Sequence, residues 1–85
     1  GPQKIRVNAI SPGPMKTLSG AAIGGARKTF RFTEANTPLR ANATKASIGG
    51  TAVYLASDYG ECTTGETIMV DGGLHILGLP QPENF

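Results

Sequence analysis

Ile5-Arg6-Val7-Asn8-Ala9-Ile10 runs straight into Ser11-Pro12-Gly13-Pro14. Apolar and polar residues alternate, with β-branched side chains at Ile5, Val7 and Ile10, so the stretch predicts a β-strand ended by Pro12 and Gly13. The next such run lies far downstream, at Thr67-Ile68-Met69-Val70, where Asp71-Gly72-Gly73 breaks it. Residues 14–25 are small and glycine-rich and read as a loop. The pattern then predicts a short helix from about Ala26 to Ala35, ended by Thr37-Pro38 because a proline ring disfavours helix in the residue before it. Thr44 reads as an N-cap, and Ile48, Ala52, Val53, Leu55 and Ala56 put apolar groups on one broad face of a second helix that reaches Ser57. Gly49-Gly50 inside that helix costs about 1 kcal/mol per glycine relative to alanine, and close approach by another backbone would offset it. Asp58 to Gly65 reads as a turn region, and the tail from Gly78, with Pro80 and Pro82, as irregular.

A hairpin needs only a few connecting residues, so two strands joined by so long a helical crossover are expected to pair in parallel. A parallel sheet is normally covered on both faces, and two strands with one or two helices close no core of their own. The expected fold class is therefore α/β, with residues 1–85 a partial domain at the end of a larger one. Gly1 in place of methionine agrees with an internal piece or a cleavage scar.

Composition narrows the function classes. With 85 residues, a net charge of +2, 39% hydrophobic and 16% charged residues, the chain is an ordinary globular sequence, neither disordered nor fibrous. No apolar run approaches the roughly 18 residues of a membrane span, and no signal peptide is evident, so no membrane partner and a cytoplasmic location are expected. One cysteine, Cys62, and one histidine, His75, exclude an internal disulfide and argue against a four-ligand zinc site, so no metal is expected. Weak charge without interleaved stacking aromatics argues against nucleic acid. Cys62 sits beside Glu61, which disfavours a thiolate. His75 lacks a companion serine or cysteine motif and reads as a packing or interface residue.

In an open parallel sheet, ligands bind outside the carboxyl ends of the strands. Pro12-Gly13-Pro14 and Asp71-Gly72-Gly73 both fall at such ends, so they should lie near each other on the ligand side. The rigid turn would present peptide groups of Met15 and its neighbours to a flat polar ligand, with the Thr17 hydroxyl available to a phosphate. A plain strand-to-loop turn is the alternative.

Several stretches together resemble the C-terminal third of a short-chain dehydrogenase/reductase. They are Arg6 to Leu18, Glu34-Ala35-Asn36-Thr37-Pro38-Leu39-Arg40, Leu55-Ala56-Ser57-Asp58, Thr64-Gly65-Glu66 and Val70-Asp71-Gly72-Gly73. Pro14-Met15-Lys16-Thr17-Leu18 with Glu34-Ala35-Asn36 is similar to the enoyl-acyl-carrier-protein reductases in particular. Related ketoacyl reductases usually carry Gly-Arg after the Pro-Leu, whereas here Arg40 follows Leu39 directly. The resemblance implies a doubly wound, Rossmann-like parallel sheet and NAD, as NADH with NADPH not excluded, as cofactor. It implies that Gly13, Pro14, Met15, Lys16, Thr17, Leu18 and Ser19 line the nicotinamide and pyrophosphate, Met15 pairing with the carboxamide through its backbone and Thr17 holding a phosphate. It implies that Ser19 to Phe30 is the flap over the acyl substrate, with Ser19, Ile23, Ala26 and Phe30 on the substrate. Met15 stands where isoleucine is usual, and Ala26 where a larger aromatic often sits.

Arg27, Lys28 and Arg31 form a modest basic patch that reads plainly as a solvated helix face. The resemblance makes Arg27 and Lys28 a landing site for acidic acyl carrier protein. It also implies a homotetramer, with the Gly49-Gly50 helix, the last strand and the tail at subunit contacts. The family's catalytic Tyr-x6-Lys pair is absent, because Glu61 lies seven residues after Tyr54 and Glu66 seven after Tyr59. Gly20 to Gly25 imitates the glycine-rich cofactor fingerprint, but no strand leads directly into it. No catalytic residue is expected in this chain, which should be inert by itself and is expected to act with the remainder of the same reductase. The alternatives are a segment of a 3-ketoacyl-type reductase and a non-catalytic assembly module.

Overall fold

The computed structural model describes residues 1–15 and 25–85. Two strands, β1 (Ala9–Pro12) and β2 (Thr67–Val70), flank two helices, α1 (Ala26–Asn36) and α2 (Lys45–Ala56). The strands pair in parallel, with Ala9 opposite Thr67 and Pro12 opposite Val70. The crossover argument therefore holds. Single 3-10 turns follow at Asp58–Gly60, Leu74–Ile76 and Pro82–Asn84, so the tail is less irregular than expected.

The first strand begins four residues later than the alternation predicts, at Ala9 instead of Ile5. Side chains take over there from the ladder. Arg6 donates from Nη2 to the Leu55 carbonyl at 2.6 Å and from Nη1 to the Thr63 carbonyl at 3.2 Å. The Asn8 amide donates to the Thr63 carbonyl at 3.0 Å and accepts the Glu66 N–H at 3.0 Å. Val7 N–H goes to the Thr64 hydroxyl at 3.1 Å. Ile5 and Val7 stay 65% and 73% exposed, so the alternation marks an extended segment whose apolar face has no cover among the described residues.

Thr44 caps α2 as its sequence requires. Its hydroxyl accepts the Ser47 N–H at 3.0 Å and the Ser47 hydroxyl accepts the Thr44 N–H at 3.0 Å, a reciprocal capping box. The helix is apolar nearly all round. Ile48, Thr51 and Leu55 are half-buried, whereas Val53 is 68% exposed and nothing described lies within 4 Å of a Cβ placed at Gly49 or Gly50. The expected backbone neighbour of the glycine pair is thus not found among the described residues. A helix hydrophobic on every side belongs in an interior with neighbours on both faces.

No hydrophobic residue among those described is buried. The whole chain exposes 6258 Å², against about 4,800 Å² for a compact monomer of its mass. Its radius of gyration is 15.4 Å, against about 12 Å for a compact 85-residue domain. Apart from Gly60, what is buried among the described residues is polar: Thr33, Asn36, Thr37 and Asp71. These four residues lie at the end of α1 and the end of β2.

Candidate cofactor-facing turn and its supports

The carboxyl ends of β1 and β2 come together as the topology requires. Gly13 donates its N–H to the Val70 carbonyl at 3.2 Å, extending the pairing one step past Pro12. A Cβ on Gly13 would stand 3.2 Å from the Asp71 Cβ and 3.3 Å from its Cα. Glycine is what lets the two breakers meet.

The turn's peptide groups follow from composition. Pro12 and Pro14 have no N–H to give, and that of Gly13 is taken by Val70. Met15 is therefore the first residue of the turn able to offer a peptide N–H outward, beside carbonyls already fixed by two prolines. Met15, Gly13 and Pro14 are all half-buried. Lys16, Thr17, Leu18, Ser19 and Ile23, which the sequence also nominates, lie outside the described residues.

Behind the turn stands Asp71, 5% exposed. Its Oδ1 accepts the Gly73 N–H at 2.9 Å, its Oδ2 accepts the His75 N–H at 3.1 Å, and His75 Nδ1 lies 3.0 Å from both oxygens. Burial alone would push the carboxyl up. The His75 ring, the Gly73 and His75 amides and the imidazole's charge together outweigh that and hold it below its ordinary 3.8. His75, read from sequence as a packing or interface residue, is thus the ring that pins this carboxylate.

The loop after α1 grips the same place. Gly72, at φ +67°, accepts the Leu39 N–H at 3.1 Å, and a Cβ there would overlap the Ala41 carbonyl oxygen. Thr37, fully buried, closes that loop by donating its hydroxyl to the Ala41 carbonyl and accepting the Ala41 N–H, both at 3.0 Å. Arg40, at φ 52°, folds back so that its Nη1 donates to the Thr37 carbonyl at 2.6 Å. All of these residues except Ala41 fall within stretches the sequence singles out, but their mutual contacts are not legible there.

On α1, Ala26 and Phe30 are half-buried on the helical face that also carries buried Thr33, while Arg27, Lys28 and Arg31 are exposed. The Asn42 amide spans the gap to this helix, donating to the Phe30 carbonyl at 2.8 Å and standing 2.7 Å from the Thr33 hydroxyl. Tyr54 meets the Thr63 hydroxyl at 3.0 Å, and Tyr59 is 92% exposed. A recess of about 470 Å³, lined in part by Lys4, Arg6, Asp58, Glu61 and Cys62, lies at the opposite, amino end of β1. Its charges are of mixed sign, and no strand carboxyl end faces it. Among the described residues no three His, Cys, Asp or Glu side chains gather to hold a metal, and no helix is long and apolar enough to cross a membrane.

Comparison with known proteins bears on this arrangement. Residues 1–75 match the family described as enoyl-(acyl carrier protein) reductase. The chain is 44% identical over 79 residues to the NADH-dependent enoyl-(acyl-carrier-protein) reductase of Synechocystis sp., covering 93% of this chain and 31% of the relative. It is 46% identical over 77 residues to an NADPH-dependent one of Staphylococcus aureus, covering 91% and 30%. The crystal structure of the reductase from Anaplasma phagocytophilum in complex with NAD superposes with a TM-score of 0.87 at 47% identity, covering 95% of this chain and 31% of that one. The chain thus spans about a third of the length of the relatives it matches.

Proposed function

The chain belongs to the enoyl-(acyl carrier protein) reductase family, and from that premise we propose that its 85 residues are the C-terminal third of an NAD(P)H-dependent reductase of fatty-acid synthesis. The reaction is reduction of the carbon-carbon double bond of a carrier-bound 2-enoyl thioester. The observation that carries this reading is the meeting of Gly13 with Val70 and Asp71, which sets the Pro12–Met15 turn at the carboxyl edge of a parallel sheet. A bound nicotinamide supplies the hydride.

This chain's own part is to hold and orient. The peptide edge at Met15 pairs with the carboxamide, Gly13 keeps the turn close to β2, and Lys16 to Ser19, with the Thr17 hydroxyl, extend the contact to the phosphates. Ser19, Ile23, Ala26 and Phe30 face the acyl chain, and Arg27 and Lys28 meet the acidic carrier protein. The tyrosine and lysine that complete the chemistry belong to the remainder of the same reductase, so the 85 residues alone are inactive. A cytoplasmic homotetramer completes the reading, with the Gly49-Gly50 face of α2, uncovered among the described residues, as a subunit contact.

Assay of the complete protein with a crotonyl thioester and NADH or NADPH tests this. Turnover of the enoyl substrate is expected. Turnover of a 3-ketoacyl thioester instead would assign the chain to the ketoacyl reductases, and neither activity, with partner binding retained, to a non-catalytic assembly module.

A further inference from the structure

The C-terminal tail turns back onto the end of α1 and is tied there by one side chain. Asn36 is 0% exposed. Its Oδ1 accepts the Gln81 N–H at 2.6 Å and the Asn84 amide at 3.3 Å, while its Nδ2 donates to the Phe32 carbonyl at 2.8 Å. Apolar contact contributes little at its end, where Leu79 and Phe85 stand 67% and 79% exposed, although Leu77 and Pro80 are half-buried. One residue further on, the Thr37–Ala41 loop receives Gly72 from the end of β2. The C-terminal end of α1 is therefore gripped from two sides by the segment that follows β2, and the same helix carries Ala26 and Phe30 toward its other end.

We propose that Asn36 is a positioning residue for the acyl substrate. By latching residues 81–84 it fixes the angle at which α1 leaves its C-terminal anchor, and with it the placement of Ala26 and Phe30. A helix of 11 residues is about 16 Å long, so a small rotation at Asn36 becomes a displacement of an ångström or more near Ala26. The inference rests on the reading of α1 as a wall of the acyl pocket.

Gln81 has φ −62° and ψ 148°, and that φ is proline's own. Gln81→Pro therefore deletes the donated N–H while keeping the backbone angle, in a tail whose loss of order need not unfold the protein. In the complete reductase, Gln81→Pro and Asn36→Ala are each expected to raise KM for a long-chain enoyl thioester about fivefold, the factor of one net hydrogen bond. KM for NADH should stay unchanged, and the double variant should be no worse than Asn36→Ala alone. A loss that falls equally on the cofactor KM, an unchanged acyl KM in Gln81→Pro, or effects that multiply in the double variant would each overturn the latch. If the wild-type protein reduces no enoyl substrate, the functional reading has failed on its own account. Amide exchange along α1 then decides the latch, which Gln81→Pro should accelerate and which an unaltered pattern would refute.

Discussion

Gly72→Ala tests the place among the described glycines where an added Cβ would meet the backbone most closely. Alanine at φ +67° pays the left-handed penalty of about 1–2 kcal/mol. Its Cβ also overlaps the Ala41 carbonyl oxygen and comes within 3.3 Å of the Thr37 hydroxyl. A carbonyl cannot rotate away as a side chain can, and this one is fixed by the two 3.0 Å bonds between Thr37 and Ala41. Moving Ala41 forfeits both, at about 1 kcal/mol net each. The total is roughly 3–4 kcal/mol, a large share of the 5–15 kcal/mol that ordinarily holds a domain together. Gly65→Ala supplies the control, since Gly65 has a similar φ of +74° with nothing within 4 Å of its Cβ position. It should lose only the backbone part, about 1–2 kcal/mol. Guanidinium unfolding of the complete protein, followed by circular dichroism at one fixed protein concentration, reads the difference. Equal losses in the two variants would refute the claim that the Ala41 loop is rigidly seated on Gly72.

Two further predictions concern charge. The Asp71 carboxyl is held below 3.8 in the folded chain, so its stabilisation is fully present above the unfolded pKa and is lost as pH falls from about 3.8 through the folded value. The stability difference between wild type and Asp71→Asn should shrink as pH falls below 3.8, and a gap that persisted unchanged in acid would remove the His75–Asp71 pair from the account. Reversing Arg27 and Lys28 to glutamate should raise KM for the carrier-bound enoyl substrate by tenfold or more at low salt, less at high salt, and affect a coenzyme A thioester much less. Equal effects on both thioesters would show that these residues act on the pocket and not on the carrier.

The topology was readable because it depends on quantities that sequence carries directly. The number of residues between two β-rich runs decides parallel pairing, Thr44 announces its helix, and Thr37-Pro38 stops the one before. Position then placed Pro12–Pro14 beside Asp71–Gly73 without any knowledge of contacts. What escaped was polar and non-local. Arg6 and Asn8 look like the outward residues of a strand, yet they reach Leu55 and the 63–66 loop and end the ladder early. Asn36 and Thr37 look like solvated residues at a helix end, where polar side chains usually stay exposed. Their burial depends on Gln81 and Ala41, and no periodicity encodes a partner 45 residues away. His75 lies just past the Asp71-Gly72-Gly73 breaker, and its spacing of four from Asp71 becomes a contact only because the turn there brings the ring back to the carboxylate.

The register of β1 on β2 also sets a timetable. Ala9 and Thr67 are 58 residues apart, and closing a flexible loop of that length costs roughly 4 kcal/mol, against roughly 1 kcal/mol for a tight hairpin. The capping box lets α2 begin to coil locally, on a sub-microsecond scale, long before the strands can find each other. Helix docking against β1 shortens the effective loop, and only then does β2 add its edge. During that interval an apolar helix and two unpaired strand edges are all in water, which leaves this segment of newly made chains exposed to aggregation and to capture by chaperones.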